Sequence, residues 1–553
     1  MSERTIADLV AARAGDESTG LLFEGRSWTW KQVAHECAVR AAVLRASRPA
    51  DAGDAPFHVG VLLDNVPEYV FLLGGAALAG AAVVGINPTR RGEELAHDIR
   101  HTGCELVVTE NAHRSALDGL DLGIGADRIV SVESQTWRAW CDAQAGASIP
   151  AVRPGPDTLF VLIFTSGSTG APKAVRGTQG RFAGMGARMP FGSDDVLYCP
   201  MPLFHGNALA SNFVPALTSG ATIALRRRFS ASEFFDDMRA VGATYFNTVG
   251  RALSYVLATP PAPEDRTHSV KFGLAPESSA ADVAAFRERF GIPLVGGYGS
   301  SEGAIIITPV RDAKPGALGV PAGEADVAVV DPATGAECPL AEFDEHGRLL
   351  NGGTAIGEIV RRDPRLVFEG YYKNAEATEE RSRNGWYWSG DLGYRDHDGI
   401  FYFAGRTADW MRVDGENFAA APIERIIGRH PDIAAVAVYG VPDPVTGDQV
   451  MAALELRAGR LFDGAEFGTF LAAQADLGTK WAPRFVRIVD ALPVTGADKI
   501  AKLPLRAAQW NPAGAEVWWQ PERGAPYRRF TETDAASLHR AFQEHARTDL
   551  LTP

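Results

Sequence analysis

The sequence predicts an α/β protein: a large N-terminal domain of doubly wound sheets plus a β-rich subdomain, then a small C-terminal α+β domain. Short apolar segments alternate with helical segments between Thr5 and Thr109, as in parallel sheets covered by helices. The pattern starts again after Arg406, so we predict domains of residues 1–406 and 407–553. A chain of 553 residues is also too long for a single core.

The composition indicates which binding partners and which cellular compartment to expect. A net charge of −14 disfavours nucleic acid, because binding its phosphates requires a basic surface. The five cysteines are odd in number and form no C-x-x-C pair, which argues against a disulfide framework or a structural zinc site. The N-terminal residues contain no apolar core of a signal peptide, so we expect a cytoplasmic protein.

The first elements follow from hydrophobic periodicity. Residues Thr5 to Arg48 predict a helix, a hairpin at Glu24-Gly25 and a second helix. The next predicted elements alternate between strand and helix: His58–Leu63, Pro67–Leu78, Ala82–Ile86, Gly92–Thr102 and Glu105–Thr109. Within this region Tyr69 to Ile86 is uncharged and approaches the length of a membrane span. Its centre is rich in Gly and Ala, which favours a core helix that ends in a buried strand.

The middle of the chain is less regular. Residues Ala112 to Pro156 are polar and rich in Pro and Gly, so we predict a loop region. Residues His113 to Asp118 match the acyltransferase pattern H-x₄-D, which we interpret as a chance match. Ser230 is predicted as a helix N-cap, with Glu233 at the capping-box position. Further along, we predict a strand and turn at Lys271–Pro276, a helix at Ala281–Phe290 and a β-rich stretch at 316–362. In the C-terminal part we predict a helix at Pro422–Arg429, strands at Ile433–Tyr439 and Met451–Leu456, and a helix at Gly464–Leu477.

The most informative stretch is LFVLIFTSGSTGAPKAV, residues 159–175. An apolar strand ends in a run of hydroxyls and glycines, and Lys173 follows. Glycines let successive N–H groups converge on one anion, while hydroxyls and the lysine add donors and charge. This predicts a polyphosphate cradle, although Ala171 and Pro172 make it different from a Walker A loop. The alternative is a Ser/Gly-rich surface turn.

Three further residues suggest nucleotide chemistry. Glu302 lies in the turn GGYGSSEG at a strand end, where a carboxylate could hold Mg²⁺; the alternative is a solvated turn residue. Asp391 and Arg406 lie at the ends of a short β-rich hairpin. They could bind a ribose or a phosphate, or could simply form a salt bridge.

These motifs together resemble the adenylate-forming superfamily, which contains acyl-CoA synthetases, luciferases and peptide-synthetase adenylation domains. The resemblance rests on TSGSTGAPK, YGSSE, WSGD, the Gly-Arg pair and PVTGADKIAK, in that order along the chain. It implies Mg²⁺ ligation by Glu302 and Thr165. It also implies a set of residues that bind ATP or AMP: Thr165, Ser166, Gly167, Ser168, Thr169, Gly170, Lys173, Gly273, Ala275, Pro276, Tyr298, Gly299, Ser301, Asp391 and Arg406.

The same resemblance assigns roles to the C-terminal domain. Lys499, preceded by an unusual Asp498, matches the catalytic lysine of the family. The small domain is expected to be mobile, with Ala408 as the hinge. Coenzyme A is expected to contact Gly415, Glu416 and Asn417.

The resemblance is greatest to very-long-chain acyl-CoA synthetases related to fatty-acid transport proteins, and to actinobacterial relatives that activate fatty or steroid side-chain acids. His205, in LFHGNAL, stands where peptide-synthetase domains carry an Asp that binds the substrate ammonium, which favours a plain carboxylic acid. We count His205 among the catalytic candidates. The expected substrates are the acid, ATP and coenzyme A, with no nucleic acid.

Three alternatives stay open. A P-loop kinase would explain the phosphate loop but not the other motifs. A ligase that loads a carrier protein, or a fatty-acid carrier with secondary ligase activity, would share them. The resemblance is also compatible with a homodimer and with peripheral membrane contact for a lipid substrate.

Overall fold

The structure is a computed structural model that forms two compact units. It describes residues 4–49, 56–165, 173–276, 278, 280–300, 302–310, 314, 317–345, 349–363, 368–406, 410–413, 416–445, 447–474, 477–478, 480–494, 500–545 and 547–551. The first unit consists of Met1–Ile306 and Arg365–Ser382, and the second of Ile307–Pro364 and Arg383–Pro553. The predicted division into domains at Arg406 stays a prediction.

Strands occur throughout the described chain. In order they are β1 (Thr19–Phe23), β2 (Arg26–Thr29), β3 (His58–Leu62), β4 (Ala82–Gly85), β5 (Leu106–Thr109), β6 (Ile129–Ser131), β7 (Leu159–Thr165), β8 (Lys173–Thr178), β9 (Val196–Cys199), β10 (Thr222–Leu225), β11 (Tyr245–Asn247), β12 (Phe272–Leu274), β13 (Leu294–Val295), β14 (Tyr298–Gly299), β15 (Ile306–Thr308), β16 (Ala317–Pro321), β17 (Val327–Val330), β18 (Gly357–Arg361), β19 (Tyr387–Arg395), β20 (Phe401–Arg406), β21 (Trp410–Val413), β22 (Glu416–Ala419), β23 (Ile433–Pro442), β24 (Asp448–Leu456), β25 (Phe485–Val489), β26 (Glu516–Trp519) and β27 (Arg528–Arg529).

Helices connect these strands. They are α1 (Ile6–Ala12), α2 (Trp30–Ser47), α3 (Pro67–Ala79), α4 (Gly92–Thr102), α5 (Asn111–Arg114), α6 (Gln135–Ala143), α7 (Gln179–Gly186), α8 (Gly206–Ala208), α9 (Val214–Ser219), α10 (Phe234–Val241), α11 (Gly250–Leu257), α12 (Ala280–Phe290), α13 (Gly352–Ala355), α14 (Ala375–Arg381), α15 (Ala420–Ile427), α16 (Gly464–Ala472), α17 (Lys502–Ala508) and α18 (Glu532–Glu544). A π-helical turn, Leu209–Phe213, joins α8 to α9.

The first unit contains two sheets that are mainly parallel. Their strand orders are β13-β12-β11-β9-β10-β1-β2 and β6-β5-β3-β4-β7-β8. Among the described strands of these sheets, antiparallel pairing is confined to the pairs β1–β2 and β7–β8. This confirms the predicted doubly wound sheets, in which ligands bind beyond the carboxyl ends of the strands.

The second unit is built from antiparallel and mixed sheets. One sheet includes the order β15-β16-β20-β19-β18-β17, β21 and β22 form a hairpin, and a third sheet has the order β23-β24-β25-β26-β27. Val438 lies in one apolar cluster, whereas its neighbours Ala437 and Tyr439 lie in another. Because side chains alternate along a strand, both faces of the third sheet are buried.

Local sequence signals account for the helix ends in the first unit. Thr5 and Asp8 form a capping box at α1, and Thr29 and Gln32 form another at α2. Helix α3 has Pro67 in its first turn and ends at Gly80, which adopts a left-handed φ of 73°.

The structure corrects several predicted elements. The region predicted as loop between Ala112 and Pro156 contains β6 and α6, which the polar composition concealed. Ser230 is not an N-cap: α10 begins at Phe234, and Glu233 forms an ion pair with Arg226. Helix α16 ends at Ala472 rather than Leu477, and β25 was not predicted.

The uncharged stretch from Tyr69 to Ile86 forms α3 and β4, as predicted. Within the part of the chain that the structure describes, no helix is both long and apolar enough to span a bilayer. Glycine in this stretch lets α3 approach α2 closely. A Cβ at Gly75, on α3, would lie 2.6 Å from Cβ of Arg40 and 3.1 Å from the backbone nitrogen of Ala41, both on α2. Arg40 is itself held by an ion pair with Glu68 at 2.6 Å.

We predict that Gly75→Ala destabilises the first unit. Overpacking costs about 1–3 kcal/mol, which exceeds the gain of about 1 kcal/mol in helix propensity. The apparent melting temperature should fall by about 2–4 °C for each kcal/mol lost, as measured by differential scanning fluorimetry. Gly15→Ala is the matched control, since a Cβ there has no heavy atom within 4 Å. A Gly75→Ala protein as stable as the control would contradict the close approach of the two helices.

Candidate functional site

The ends of the predicted phosphate loop lie side by side at one sheet edge. Strand β7 ends at Thr165 and β8 begins at Lys173, and these two residues are partners in the antiparallel ladder. The Thr165 hydroxyl donates a hydrogen bond to the Lys173 carbonyl at 3.4 Å. Residues 166–172, which include Ser166, Gly167, Ser168, Thr169 and Gly170, lie outside the described residues. The structure therefore places the two ends of the loop.

Lys173 contacts a segment more than 190 residues later in the chain. Its Nζ lies 3.4 Å from Oε2 of Glu380 and 5.5 Å from the ring centroid of Tyr371. Backbone pairing fixes this segment on β8: Val175 and Tyr371 form a β-bridge, and the Tyr372 N–H donates to the Ala174 carbonyl at 2.8 Å.

Tyr371 also holds the predicted metal ligand. Its hydroxyl donates to Oε1 of Glu302 at 2.7 Å, and the Glu302 side chain is buried. Burial, and then the negative charge of Glu302, raise the pKa of Tyr371, so its phenol keeps the proton that it donates. Thr165, Lys173 and Glu302 thus belong to one chain of contacts through Tyr371.

The turn that carries Glu302 lies against the Arg181 side chain. The Gly303 N–H donates to the Ser300 carbonyl at 2.9 Å, and Gly303 has a left-handed φ of 63°. A Cβ at Gly303 would lie 2.6 Å from the Arg181 guanidinium, so only glycine fits. Arg181 in turn lies 3.6 Å from a carboxylate oxygen of Glu369. Glu369, Tyr371 and Glu380 therefore hold three separate parts of the site.

Sequence reasoning missed this segment, residues 368–382, entirely. The sequence feature that could have identified it is the polar and aromatic run Glu369-Gly370-Tyr371-Tyr372, which precedes α14.

The residues predicted to contact adenine surround the end of β12. Gly273 lacks a side chain because a Cβ would lie 2.3 Å from the Phe246 ring. The Ala275 N–H donates to the Val295 carbonyl at 3.1 Å, and the Gly250 N–H donates to the Pro276 carbonyl at 3.0 Å. Tyr298 and Gly299 form β14, one half-buried and the other exposed. Ser301 lies outside the described residues.

His205 lies in the segment that follows β9, and Asn65 positions that segment. Asn65 is buried; its amide donates to the Met201 carbonyl at 2.8 Å and accepts from the Leu203 N–H at 2.9 Å. The rings of Phe204 and His205 lie 4.4 Å apart. Asn65 was missed as well, although its place just after β3 is where such sheets carry functional polar residues.

In the second unit, Asp391 and Arg406 lie opposite each other in the β19–β20 ladder. This confirms the predicted hairpin. A bulge shifts the β18–β19 register between Glu358 and Val360, and Gly390 has a left-handed φ of 71°. The Gly390 N–H donates to the buried Glu358 carboxylate at 2.7 Å, which fixes the backbone beside Asp391.

The C-terminal candidates are only partly placed. Glu416 and Asn417 lie in β22, paired with Val413 and Arg412. Ala408, Gly415 and Lys499 lie outside the described residues. Lys502, three residues after Lys499, forms an ion pair with Glu424 at 2.8 Å.

One cluster of possible metal ligands has another explanation. Asp64, Glu110 and His113 have ligand atoms within 4.8 Å of one another. However, Arg227 lies 2.8 Å from Glu110 and Arg228 lies 2.9 Å from Asp64, so the carboxylates are already neutralised. His113 bonds to Asp64 at 3.0 Å and Asp118 pairs with Arg114 at 3.0 Å, so the two residues of the H-x₄-D pattern have different partners.

The chain is similar to known proteins along its whole length. Residues 8–372 match the family described as AMP-binding enzyme, and residues 422–499 match the AMP-binding enzyme C-terminal domain. It is 50% identical to a steroid-22-oyl-CoA synthetase of Rhodococcus jostii, over 100% of this chain and 99% of that protein. It is 42% identical to the medium/long-chain-fatty-acid–CoA ligase FadD17 of Mycobacterium marinum, over 94% of this chain and 98% of that protein.

The fold is shared with solved structures. ATP-bound MatB from Rhodopseudomonas palustris superimposes with a TM-score of 0.78 over 92% of this chain and 98% of that one, at 23% identity. A benzoate CoA ligase from Burkholderia xenovorans superimposes with a TM-score of 0.76 over 91% of this chain and 100% of that one, at 20% identity. These matches confirm the predicted α/β architecture.

We predict that Glu380→Gln strengthens polyphosphate binding. Glu380 is the partner of Lys173 in this structure and adds negative charge at the loop, although its side chain is 58% exposed. An ion pair of this kind is worth about 0–1 kcal/mol, so the affinity for ATP should rise by up to about fivefold. Isothermal titration with MgATP measures the change. Glu379→Gln makes the same change in charge one residue away, and equal affinities in the two variants would exclude the role of Glu380.

Proposed function

Because this chain belongs to the family of AMP-binding enzymes, we propose that it is an ATP-dependent acid–CoA ligase that acts through an acyl adenylate. The observation that carries the proposal is the contact chain Lys173–Tyr371–Glu302 at the ends of the phosphate loop. It brings a cation and a buried carboxylate, the two groups that a metal–triphosphate complex requires, to one sheet edge.

The reaction has two half-reactions. In the first, a carboxylate oxygen of the acid attacks the α-phosphorus of ATP, and the bond to the β-phosphate oxygen breaks, so that pyrophosphate leaves. In the second, the thiol sulfur of coenzyme A attacks the acyl carbonyl carbon, loses its proton, and AMP leaves. Little covalent chemistry falls to the protein, which contributes positioning and charge stabilisation.

The proposed ATP-binding residues fall into three groups, one for each part of the nucleotide. Residues 165–170 and Lys173 would bind the phosphates, and Gly273 to Pro276 would pack on adenine. Asp391 is suited to the ribose, because a carboxylate accepts from two hydroxyls, and the cross-strand partner Arg406 adds a positive charge. The role proposed for Asp391 is supported by the irregular backbone beside it, where Gly390 has a left-handed φ and the β18–β19 register shifts.

Mg²⁺ fits the donors present. Glu302 offers a carboxylate and Thr165 a hydroxyl, and hard oxygen ligands of this kind suit Mg²⁺. When bound, the ion would neutralise part of the charge of the triphosphate. Tyr371 occupies one oxygen of Glu302 and so orients the carboxylate.

Lys499 is the proposed catalytic lysine of the first half-reaction. Lys502, the neighbouring alternative, is held by Glu424, which supports this choice. In the second half-reaction we propose that the C-terminal domain, residues 407–553, rotates about Ala408. This rotation would bring Gly415, Glu416 and Asn417 to coenzyme A.

The acid is proposed to be a long-chain fatty acid or a steroid side-chain acid, with His205 near its carboxylate. The names of the curated relatives support this range, since they specify steroid-22-oyl and medium/long-chain fatty acyl groups. Both names specify CoA, so loading of a carrier protein is not favoured. We further propose a cytoplasmic enzyme that meets lipid acids at membrane surfaces, with a homodimer as its assembly.

The direct test is to incubate the protein with ATP, Mg²⁺ and a panel of fatty and steroid acids, with and without coenzyme A. We expect acid-dependent release of pyrophosphate and, with coenzyme A, an acyl-CoA thioester. If no acid releases pyrophosphate, the proposed function is wrong.

Lys499→Ala should abolish adenylate formation and spare thioester formation from supplied acyl-AMP. Its charge is required only where negative charge moves onto the phosphates. The two half-reactions are measured separately, as pyrophosphate release and as acyl-CoA formation. Lys502→Ala is the control, because it removes a lysine already paired with Glu424. Equal loss in both half-reactions would show that Lys499 has another role.

Tyr371→Phe should slow adenylation by about tenfold, or ~1.4 kcal/mol, and raise the Mg²⁺ concentration required for half-maximal rate. Without its hydrogen bond, the Glu302 carboxylate is less well oriented. Tyr527→Phe serves as control, since it deletes a buried hydroxyl that donates to the Pro483 carbonyl in the second unit. An unchanged Mg²⁺ dependence would mean that Tyr371 does not position Glu302.

A further inference from the structure

Asn207 is half-buried, lies two residues after His205, and is held by the interior through one atom of its side chain. Ser211 donates to Oδ1 of Asn207 at 3.0 Å, and the amide of Asn247 donates to the same oxygen at 3.4 Å. Among the described residues, these are the hydrogen bonds that the Asn207 side chain makes. Its Nδ2 therefore keeps two hydrogens that it can donate to a ligand.

The residues behind Asn207 are buried and form a chain of hydrogen bonds. Ser211 is 6% exposed, and Tyr245 and Asn247 are both 0% exposed. The Tyr245 hydroxyl is hydrogen-bonded to Ser211. Since Ser211 has a single proton and donates it to Asn207, the Tyr245 phenol is the donor in this contact. Two donors thus converge on Oδ1 of Asn207, which directs the oxygen towards the interior and the nitrogen away from it.

Packing alone does not explain why Asn247 supports Asn207. Oδ1 of Asn247 is buried and has no hydrogen-bond partner among the described residues. An unpaired buried acceptor destabilises a fold, and such acceptors are rare in proteins. Ser211 also belongs to an unusual element, the π-helical turn Leu209–Phe213, and such turns occur frequently at functional sites. Both features indicate that the orientation of Asn207 has a use.

The chain of hydrogen bonds joins two segments that have proposed roles. Asn247 ends β11, and its partner in the parallel ladder is Leu274 on β12, within the segment proposed to pack on adenine. Asn207 follows His205, which is proposed to lie near the carboxylate of the acid. The α-phosphate and the carboxylate must meet between these two segments, so Asn207 lies beside the expected position of the reacting atoms.

We propose that Nδ2 of Asn207 binds the carboxylate oxygen that does not attack ATP, and that it stays on this oxygen through both half-reactions. The inference rests on the proposed function. In the first half-reaction the other carboxylate oxygen forms the bond to the α-phosphorus and pyrophosphate leaves. The bound oxygen then becomes the carbonyl oxygen of the acyl adenylate.

The second half-reaction places negative charge on this oxygen. Coenzyme A attacks the carbonyl carbon as a thiolate, its proton having passed to solvent, and the electron pair of the C=O bond moves onto the bound oxygen. The pair returns when the bond between the carbon and the phosphate oxygen breaks and AMP leaves. An N–H donor that is already oriented stabilises such a charge most effectively. Ser211, Tyr245 and Asn247 are positioning residues that act through Asn207.

Asn207→Ala should slow the second half-reaction more than the first. We expect thioester formation from supplied acyl-AMP to fall by about 10²–10³-fold, the usual effect of removing one donor to an oxyanion. Pyrophosphate release should fall by only about tenfold in kcat/KM for the acid, because no new charge develops on the bound oxygen. Isothermal titration with MgATP should give the wild-type affinity. A loss in thioester formation no larger than the loss in adenylation would overturn the proposal.

A double-mutant cycle tests the positioning role. Asn247→Ala should slow thioester formation by about tenfold, and should add no loss when it is combined with Asn207→Ala, because residues that act through one group are not additive. Losses that multiply in the double variant would overturn the role of Asn247. If Asn247→Ala fails to fold, Ser211→Ala takes its place in the same cycle.

Asn212→Ala is the matched control. Asn212 is as buried as Asn247 and also has an unpaired oxygen, but its amide donates to the Tyr198 carbonyl at 3.2 Å. It should lower the melting temperature to a similar extent and leave thioester formation within about twofold of wild type. A control that slows thioester formation as much as Asn247→Ala would mean that loss of any buried amide has this effect.

The outcomes separate this inference from the proposed function. If the wild-type protein releases no pyrophosphate with any acid, the proposed function is wrong. If the wild-type protein is active and Asn207→Ala changes neither half-reaction, the proposed function stands and the role of Asn207 is wrong.

Discussion

The candidate site depends on one phenol that contacts groups of opposite charge. The Tyr371 hydroxyl donates to Glu302, and its ring faces the ammonium of Lys173. A phenol can do both at once, since its edge carries a polar hydrogen and its face attracts cations. Tyr371 thereby contacts a buried carboxylate and a buried lysine at once, while the lysine ammonium pairs with Glu380 instead. The turn at Gly303 and the ends of the phosphate loop are arranged around this contact.

A second constraint acts at the carboxyl ends of the parallel strands. Asn65 follows β3, His205 follows β9 and Asn247 ends β11. Asn65 satisfies backbone groups of the segment before His205, whereas Asn247 keeps an unpaired oxygen. Asn65 belongs to one sheet of the first unit, and His205 and Asn247 belong to the other, so polar residues lie at strand ends in both sheets.

Most of the fold could be predicted because its signals are local. The buried strand β7, the helix and strand at Tyr69 to Ile86 and the hairpin that pairs Asp391 with Arg406 all follow from patterns within a few residues. Glu302 and Lys173 were found for the same reason, as parts of short motifs. Tyr371 and Glu380 were not, because their partners lie 69 and 207 residues away. Composition also concealed β6 and α6, whose few apolar residues sit within a polar stretch.

The chain leaves the first unit after Ile306 and returns to it from Arg365 to Ser382. During synthesis, β8 therefore leaves the ribosome long before the segment that covers it. At about 5–20 residues per second, the delay between Ile306 and Ser382 is roughly 4–15 s. Until Tyr371 has been synthesised, the nascent chain contains Lys173 and Glu302 but not the residue that contacts both of them. A fragment that stops near Ile306 would be missing part of its own unit, so the two units cannot be separated by a single cut in the gene.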